Sequence, residues 1–285
     1  MRSLTGILLL AGACGRSESR RTPGAEVISI NAAPRDAAGP CPVAKASLGP
    51  GIVVERWPLA ATPIAGEPCV DLVRFELARY RLVAHSDPAG KTAPTWRADQ
   101  HLVAVTNAGM FHDGGAPVAL VIANGIARGI DNPKMSGFLA WDPVATTDPP
   151  AIVAGKDCPG FDLTALRKRY RSLVQSYRFL DCDGAALPWQ DPKRYSAAGL
   201  GLDRAGRLVM FHARAAVTMA ELTTTLATHD LAGALFLEGG PEASLVVRGK
   251  TGELSLVGSY ETGFVENDDN RAFWALPNIV GLVAR

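Results

Sequence analysis

Short apolar runs, alternating or clustered at strand length, fill most of the chain, and only two stretches carry helical spacing. Val73, Phe75 and Leu77 set against Arg74, Glu76 and Arg79 predict one long, half-buried strand over Val70 to Ala84. His85 to Asp99 reads as turn-rich, with Asp87-Pro88 and Ala93-Pro94, and leads to a short apolar strand at Leu102–Thr106. Pro117–Ala123, Asn124-Gly125 and Ile126–Ile130 predict a β-hairpin, because Asn-Gly suits a type I′ turn. One helix is expected from an Asp162 N-cap to Val174. A second opens on a Thr218/Glu221 capping box and runs to Thr228. Further strands are expected at Leu200–Leu202, Leu208–Ala213, Ala234–Leu237, Ser244–Val247, Leu254–Val257 and Phe273–Val283. Many strands with few helices predict an α+β fold: one domain over residues 51–285, built on a mixed β-sheet with a few helices.

The N-terminus follows a different pattern. Met1-Arg2 is positive and Leu4 to Ala13 is apolar for only ten residues, half the length of about 20 that a membrane-spanning helix needs. This predicts a secretory signal. Ala11-Gly12-Ala13-Cys14 resembles the lipobox of bacterial lipoproteins, although Ala11 stands where Leu is usual. Residues 1–14 are therefore expected to be a lipoprotein-type signal, with Cys14 lipidated and the protein on the periplasmic side of a bacterial membrane. Residues 15–50, rich in Ala, Pro, Gly, Ser and Arg, read as a flexible tether.

With 29 Lys+Arg against 28 Asp+Glu, the net charge is +1. That gives no electrostatic reason to expect a nucleic-acid partner, which would need a concentrated basic surface, and the Arg167, Lys168, Arg169, Arg171 cluster reads as a solvated helix face. Export makes Cys41, Cys69, Cys158 and Cys182 disulfide candidates. Four cysteines allow three pairings; the sequence-local one would close loops of about 25 residues, each stabilising by roughly 3 kcal/mol. No Cys-x-x-Cys pair or His at ligand spacing supports a metal site, and no cofactor is expected. Gly199-Leu200-Gly201 lacks the third glycine of a dinucleotide loop, and no Gly-x-Ser-x-Gly elbow supplies an esterase serine.

Candidate chemistry lies at predicted element ends. Asn107-Ala108-Gly109-Met110-Phe111-His112-Asp113 follows a strand, and Gln175-Ser176 follows a predicted helix. Leu237-Glu238-Gly239-Gly240-Pro241-Glu242-Ala243-Ser244-Leu245 places a carboxylate after an apolar strand, then two glycines that allow close backbone approach. A carboxylate there suits an acid, a base or an acceptor for sugar hydroxyls.

In this order the segments resemble the phosphodiester glycosidase family. Asn107-Ala108-Gly109-Met110-Phe111 is similar to its Asn-(Gly/Ala)-Gly-x-(Phe/Tyr) motif, and Gln175-Ser176 with Leu180 to its Gln-Ser-Gly-Pro-x-Leu segment. Ala198–Asp203 resembles its small-residue strand, and Leu237 to Leu245 its Leu-Asp-Gly-Gly-x-x-Ser segment. Glu238 replaces the usual aspartate, Tyr177-Arg178 replaces Gly-Pro, and Ala197 stands where a basic residue is expected. The resemblance implies a hydrolase cleaving a glycosyl phosphodiester at the sugar side, with a carbohydrate or phosphosugar ligand. Glu238 is then the expected nucleophile, base or charge stabiliser. Asn107 and Gln175 orient the substrate, and Arg178 meets the phosphate. Gly109, His112, Gly239, Gly240 and Ser244 complete the binding site. The alternative is a non-catalytic cell-envelope lipoprotein that kept the fold and binds glycans or phosphosugars.

Overall fold

The structure is a computed structural model that describes residues 28–31 and 40–285. The expected signal and Cys14 lie outside the described residues. From the N-terminal end, β1 (Ile28–Asn31), β2 (Ala44–Gly49), β3 (Ile52–Pro58), β4 (Cys69–Phe75) and β5 (Tyr80–Lys91) lead to α1 (Ala93–Asp99). Next come β6 (Ala104–Asn107), β7 (Val121–Ala123), β8 (Ile126–Arg128), β9 (Gly137–Pro143), β10 (Ala151–Gly155) and α2 (Leu163–Arg169). Strands β11 (Tyr170–Ser176), β12 (Arg194–Asp203) and β13 (Leu208–Thr218) run to α3 (Met219–Leu226). Then follow β14 (Leu231–Gly239), a 3-10 turn at Gly240–Glu242, β15 (Ser244–Arg248), β16 (Gly252–Val257) and β17 (Leu276–Ala284).

The α+β class holds, with the strands divided among three sheets. Their orders are β1-β16-β15-β6-β17-β5, β10-β9-β11-β7-β8 and β14-β12-β13-β4-β3-β2. The β1–β16 pair is parallel and the other named pairs are antiparallel. One face of each sheet contributes to a shared core that includes Phe75, Leu82, Trp141, Val174, Leu237 and Val280. Each opposite face is covered by one helix. Trp96 of α1 packs with Val105, Val246 and Ile279, Leu166 of α2 with Phe138 and Leu173, and Leu222 and Leu226 of α3 with Phe211 and Phe236.

Double coverage explains where the sequence pattern misleads. The long strand expected over 70–84 divides into β4 and β5 around a turn at 77–79. Strand β4 is buried at all seven positions. Arg74 is tolerated there because Glu55 and Asp203 pair with it at 3.0 and 2.9 Å and the His229 carbonyl accepts from it. Asp162 does cap α2, accepting from the Thr164 and Ala165 amides, but the helix stops at Arg169 and 170–176 is a central strand. Residues 93–99, read as turns, form α1 with a Thr92 N-cap. Within the range read as tether, β2 pairs with β3 and Cys41 bonds Cys69. The second disulfide joins Cys158 to Cys182, so both bridges are sequence-local. Among the described residues no helix is long and apolar enough to cross a membrane.

Candidate active site

Strand ends from two sheets meet at the turn after Glu238, and the third sheet adjoins the same strand just before it. Strand β12 pairs with β14 through Ala197–Gly239 and Ala198–Glu238, with a register shift just beyond. The Phe236 amide donates to the Tyr177 carbonyl at 3.0 Å, bringing in the segment that follows β11. Asn107, at the end of β6, donates from Nδ2 to the Glu242 carbonyl and accepts the Ser244 amide at Oδ1, each at 3.0 Å. Thr106 Oγ1 donates to the Ser244 carbonyl and Ser244 Oγ to that of Glu242. Below the turn, buried His212 holds Nε2 3.2 Å from the Ala243 carbonyl, which makes that nitrogen the protonated one. Burial and the charges of Arg214 and Arg56 depress the His212 pKa to about 3, so the ring stays neutral.

The fixed turn presents carboxyl groups. Glu238 Oε1 accepts the Gly239 amide at 3.2 Å. Burial, reinforced by the negative charges of Glu242 and Glu261, raises its pKa to about 8 against that one stabilising N–H. Glu242 and Glu261 are themselves raised, burial first. Gly240 adopts φ +65° between them: a Cβ there would lie 2.5 Å from Glu261 Oε2 and 3.4 Å from Glu242 Oε2. The site is thus an acidic cluster of three glutamates about a glycine turn.

Aromatic rings adjoin the acids. A Cβ at Gly239 would sit 3.2 Å from Tyr195 Cδ1 and 3.4 Å from Phe236 Cζ. Trp189 packs against Phe236 and Tyr177 with ring centroids 6.2 and 5.6 Å apart. Tyr177, Trp189 and Tyr195 are half-buried along the rim of the core beneath α3.

The remaining expected residues have other surroundings. Gln175 is buried; its Oε1 accepts the Leu120 and Asn132 amides, and its Nε2 donates to Asp131, Asn132 and Met135. It braces the 131–135 loop, while its backbone oxygen lies 3.8 Å from where a Cβ on Gly109 (φ +121°) would be. The Arg178 guanidinium is buried against Asp157, Ser136 and both sulfurs of Cys158–Cys182. It borders a cavity of about 450 Å³ with Phe161 and Leu166, whose lining includes none of the three glutamates. His112 is exposed, in a tight turn closed by its backbone. Among the described residues, Asp157, Cys158 and Cys182 form a set close enough for metal ligation, but the disulfide removes both thiolates from that chemistry. Glu242 belongs to the Leu237–Leu245 segment, where no local spacing distinguishes it from a surface acid. Glu261, Tyr195 and Trp189 had no motif to mark them; Glu261 reaches the site through a bridge to Tyr195 that only the folded chain makes.

A family model described as phosphodiester glycosidase matches residues 100–283. No curated protein matches the chain. Among solved structures, the fold is similar to the catalytic domain of zebrafish N-acetylglucosamine-1-phosphodiester alpha-N-acetylglucosaminidase, auto-inhibited by its pro-peptide. That likeness has a TM-score of 0.60 and 13% identity over 87% of this chain and 89% of that one. A hypothetical protein from Synechocystis is also similar, with a TM-score of 0.56 and 13% identity over 86% of this chain and 64% of that one.

Proposed function

The chain belongs to the phosphodiester glycosidase family, and on that premise we propose that it is an exported hydrolase cleaving a glycosyl phosphodiester at the sugar side. The family implies a glycosidase-type reaction on a sugar-containing substrate. The observation that carries the finer reading is geometric: Glu238 ends its strand at a glycine turn, with Glu242 and Glu261 against Gly240 and the rings of Tyr195 and Phe236 against Gly239.

A phosphomonoester leaving group is a weak base and departs without help from a strong acid, so the demand falls on the nucleophile. Ionised Glu238 accepts a proton from water as the water oxygen bonds to the anomeric carbon. The bond from that carbon to the phosphate oxygen breaks, and its electron pair leaves with the phosphate. The oxocarbenium-like transition state carries positive charge, which Glu242 and Glu261 stabilise. Asn107 acts here as a positioning residue, through its two bonds to the turn, and Gln175 as one through the 131–135 loop. Gly239 and Gly240 let the substrate approach the backbone. Two disulfides support an oxidising compartment. Export by the N-terminal signal, with a lipid on Cys14, is the route this reading takes.

The test is turnover of a panel of sugar-1-phosphodiesters by purified protein, with E238Q as control. Free sugar and phosphomonoester should appear, and E238Q should stay folded with turnover reduced about 1,000-fold, within the range for loss of a principal catalytic group. Near-normal E238Q activity would sink the assignment. Glycan binding without turnover would favour a binding module.

A further inference from the structure

The segment 187–195 runs beside the acidic cluster, and its construction suits recognition rather than simple connection. Its root is fixed by Cys182, bonded to Cys158, and by Asp181, whose Oδ1 accepts the Asp183 and Ala185 amides. The Leu187 amide donates to the Phe179 carbonyl. Trp189 is held at its centre by Phe179, Phe236 and Tyr177, with ring centroids 5.4, 6.2 and 5.6 Å away. Near its end, Asp191 accepts the Lys193 amide at Oδ1 and the Tyr195 hydroxyl at Oδ2. Tyr195 meets Gly239 on one side and pairs with Glu261 through the backbone on the other.

Two chemistries therefore flank Glu238. Half-buried Trp189, Tyr177 and Tyr195 offer apolar faces with polar edges, the surface that a pyranose ring with its C–H face and hydroxyl rim complements. Lys193 is exposed, and the next residue, Arg194, donates its amide to Thr262 Oγ1 and accepts the Thr262 amide at its carbonyl, each at 3.0 Å, which sets Lys193 alongside Glu261; its charge accordingly opposes the rise in the Glu261 pKa. It is a cation at this place, whereas the Arg178 guanidinium is spent on Asp157 and the disulfide sulfurs.

We propose that residues 187–195 form the substrate-recognition arm of this site, with Trp189 and Tyr177 as the platform for the pyranose ring and Lys193 as the group that meets the phosphate. This rests on the hydrolase reading above and names the residues that set its specificity. Disulfide, hook and aromatic packing order the arm in advance, so little freedom is lost when substrate binds.

The experiment compares a sugar-1-phosphodiester with the aryl glycoside of the same sugar, which carries no phosphate. W189A should raise KM about tenfold or more on both substrates, the scale of losing one aromatic contact, with kcat changed little; W189F should restore most of it. K193A should raise KM for the phosphodiester alone, and K193R should rescue it. Unchanged KM in W189A, or an equal loss on both substrates in K193A, overturns the proposal. Should the wild type turn over neither substrate, the hydrolase reading fails and the arm is tested by binding. Methyl glycosides of glucose, mannose and N-acetylglucosamine are titrated against tryptophan fluorescence. Quenching in the wild type that disappears in W189A upholds the platform; quenching that persists, or none with any of the three, overturns it.

Discussion

Asn107 grips Ser244 across two segments 137 residues apart in sequence: its Oδ1 takes the Ser244 amide at 3.0 Å while its Nδ2 donates to the Glu242 carbonyl. Both bonds are made by a side chain only 1% exposed, so replacing it leaves the buried Ser244 amide unpaired, while the Glu242 carbonyl keeps the Ser244 hydroxyl. N107A should lose roughly 1–3 kcal/mol of stability, the cost of one orphaned buried group. Activity should fall further than stability explains, because the turn that carries Glu238 and Glu242 loosens. N107D keeps the acceptor and loses the donor, and should lie between wild type and N107A in thermal unfolding and in kcat. Equal kcat in all three would remove Asn107 from any positioning role.

The raised Glu238 pKa makes a prediction about rate. If ionised Glu238 is the base, log kcat/KM climbs with pH at a slope approaching one and levels off above about 8. A limb that instead falls through that region would assign the protonated carboxyl as the working form.

The same shift predicts stability. An unfolded glutamate ionises near 4.5, whereas folded Glu238 holds its proton to about 8. Between those values the folded state binds more protons, so this group's contribution is complete below 4.5 and is lost as pH rises through 8. E238Q should therefore melt above wild type at pH 8, by roughly 2–4 °C for each kcal/mol recovered, and match it at pH 4. His212 works in the opposite sense: neutral in the fold down to about 3 and ionising near 6.5 when unfolded, it removes stability as pH falls from 6.5. Melting temperatures of wild type and E238Q across pH 4–9 would show whether the two curves diverge only above 4.5.

Gly240 stands at φ +65° with Glu261 against it. G240A should cost about 1–3 kcal/mol for the left-handed backbone. The neighbour met by the new methyl is the tip of a flexible side chain, so the fold should survive with Glu261 displaced. The expected result is a well-folded protein with turnover reduced at least tenfold, read by circular dichroism alongside kinetics.

Cys158–Cys182 anchors the root of the 187–195 arm. Its removal in the C158S/C182S double variant should cost roughly 3 kcal/mol, as for a loop of this length. KM should rise more than kcat falls, since the arm loses its anchor while Glu238 keeps its strand. An unchanged KM would show that the aromatic packing of Trp189 orders the arm by itself.

Local chemistry was readable wherever one or two residues decide a conformation. Asn124 and Gly125 take φ 49° and 82°, as the hairpin pattern requires. Asp162 caps its helix, and Thr218 with Glu221 forms the expected capping box. Residues 170–176 were misread because apolar spacing continued past Arg169. Pairing with β9 and β7 in the middle of a sheet outweighs that pattern. Strand β4 was misread as half-buried because alternation reports one covered face, and here both are covered.

The sequence by itself determined the family order of motifs, the α+β class and the place of Glu238 at a strand end before two glycines. Tertiary structure alone decided which side chains gather there. Glu261 arrives from the connection between β16 and β17, and Trp189 and Tyr195 from the approach to β12, none marked by local spacing. Arg178 is drawn to Asp157 and the disulfide. Strand ends are brought together by burying the sheet faces behind them. The charge and shape of the site therefore follow from packing that no single segment encodes.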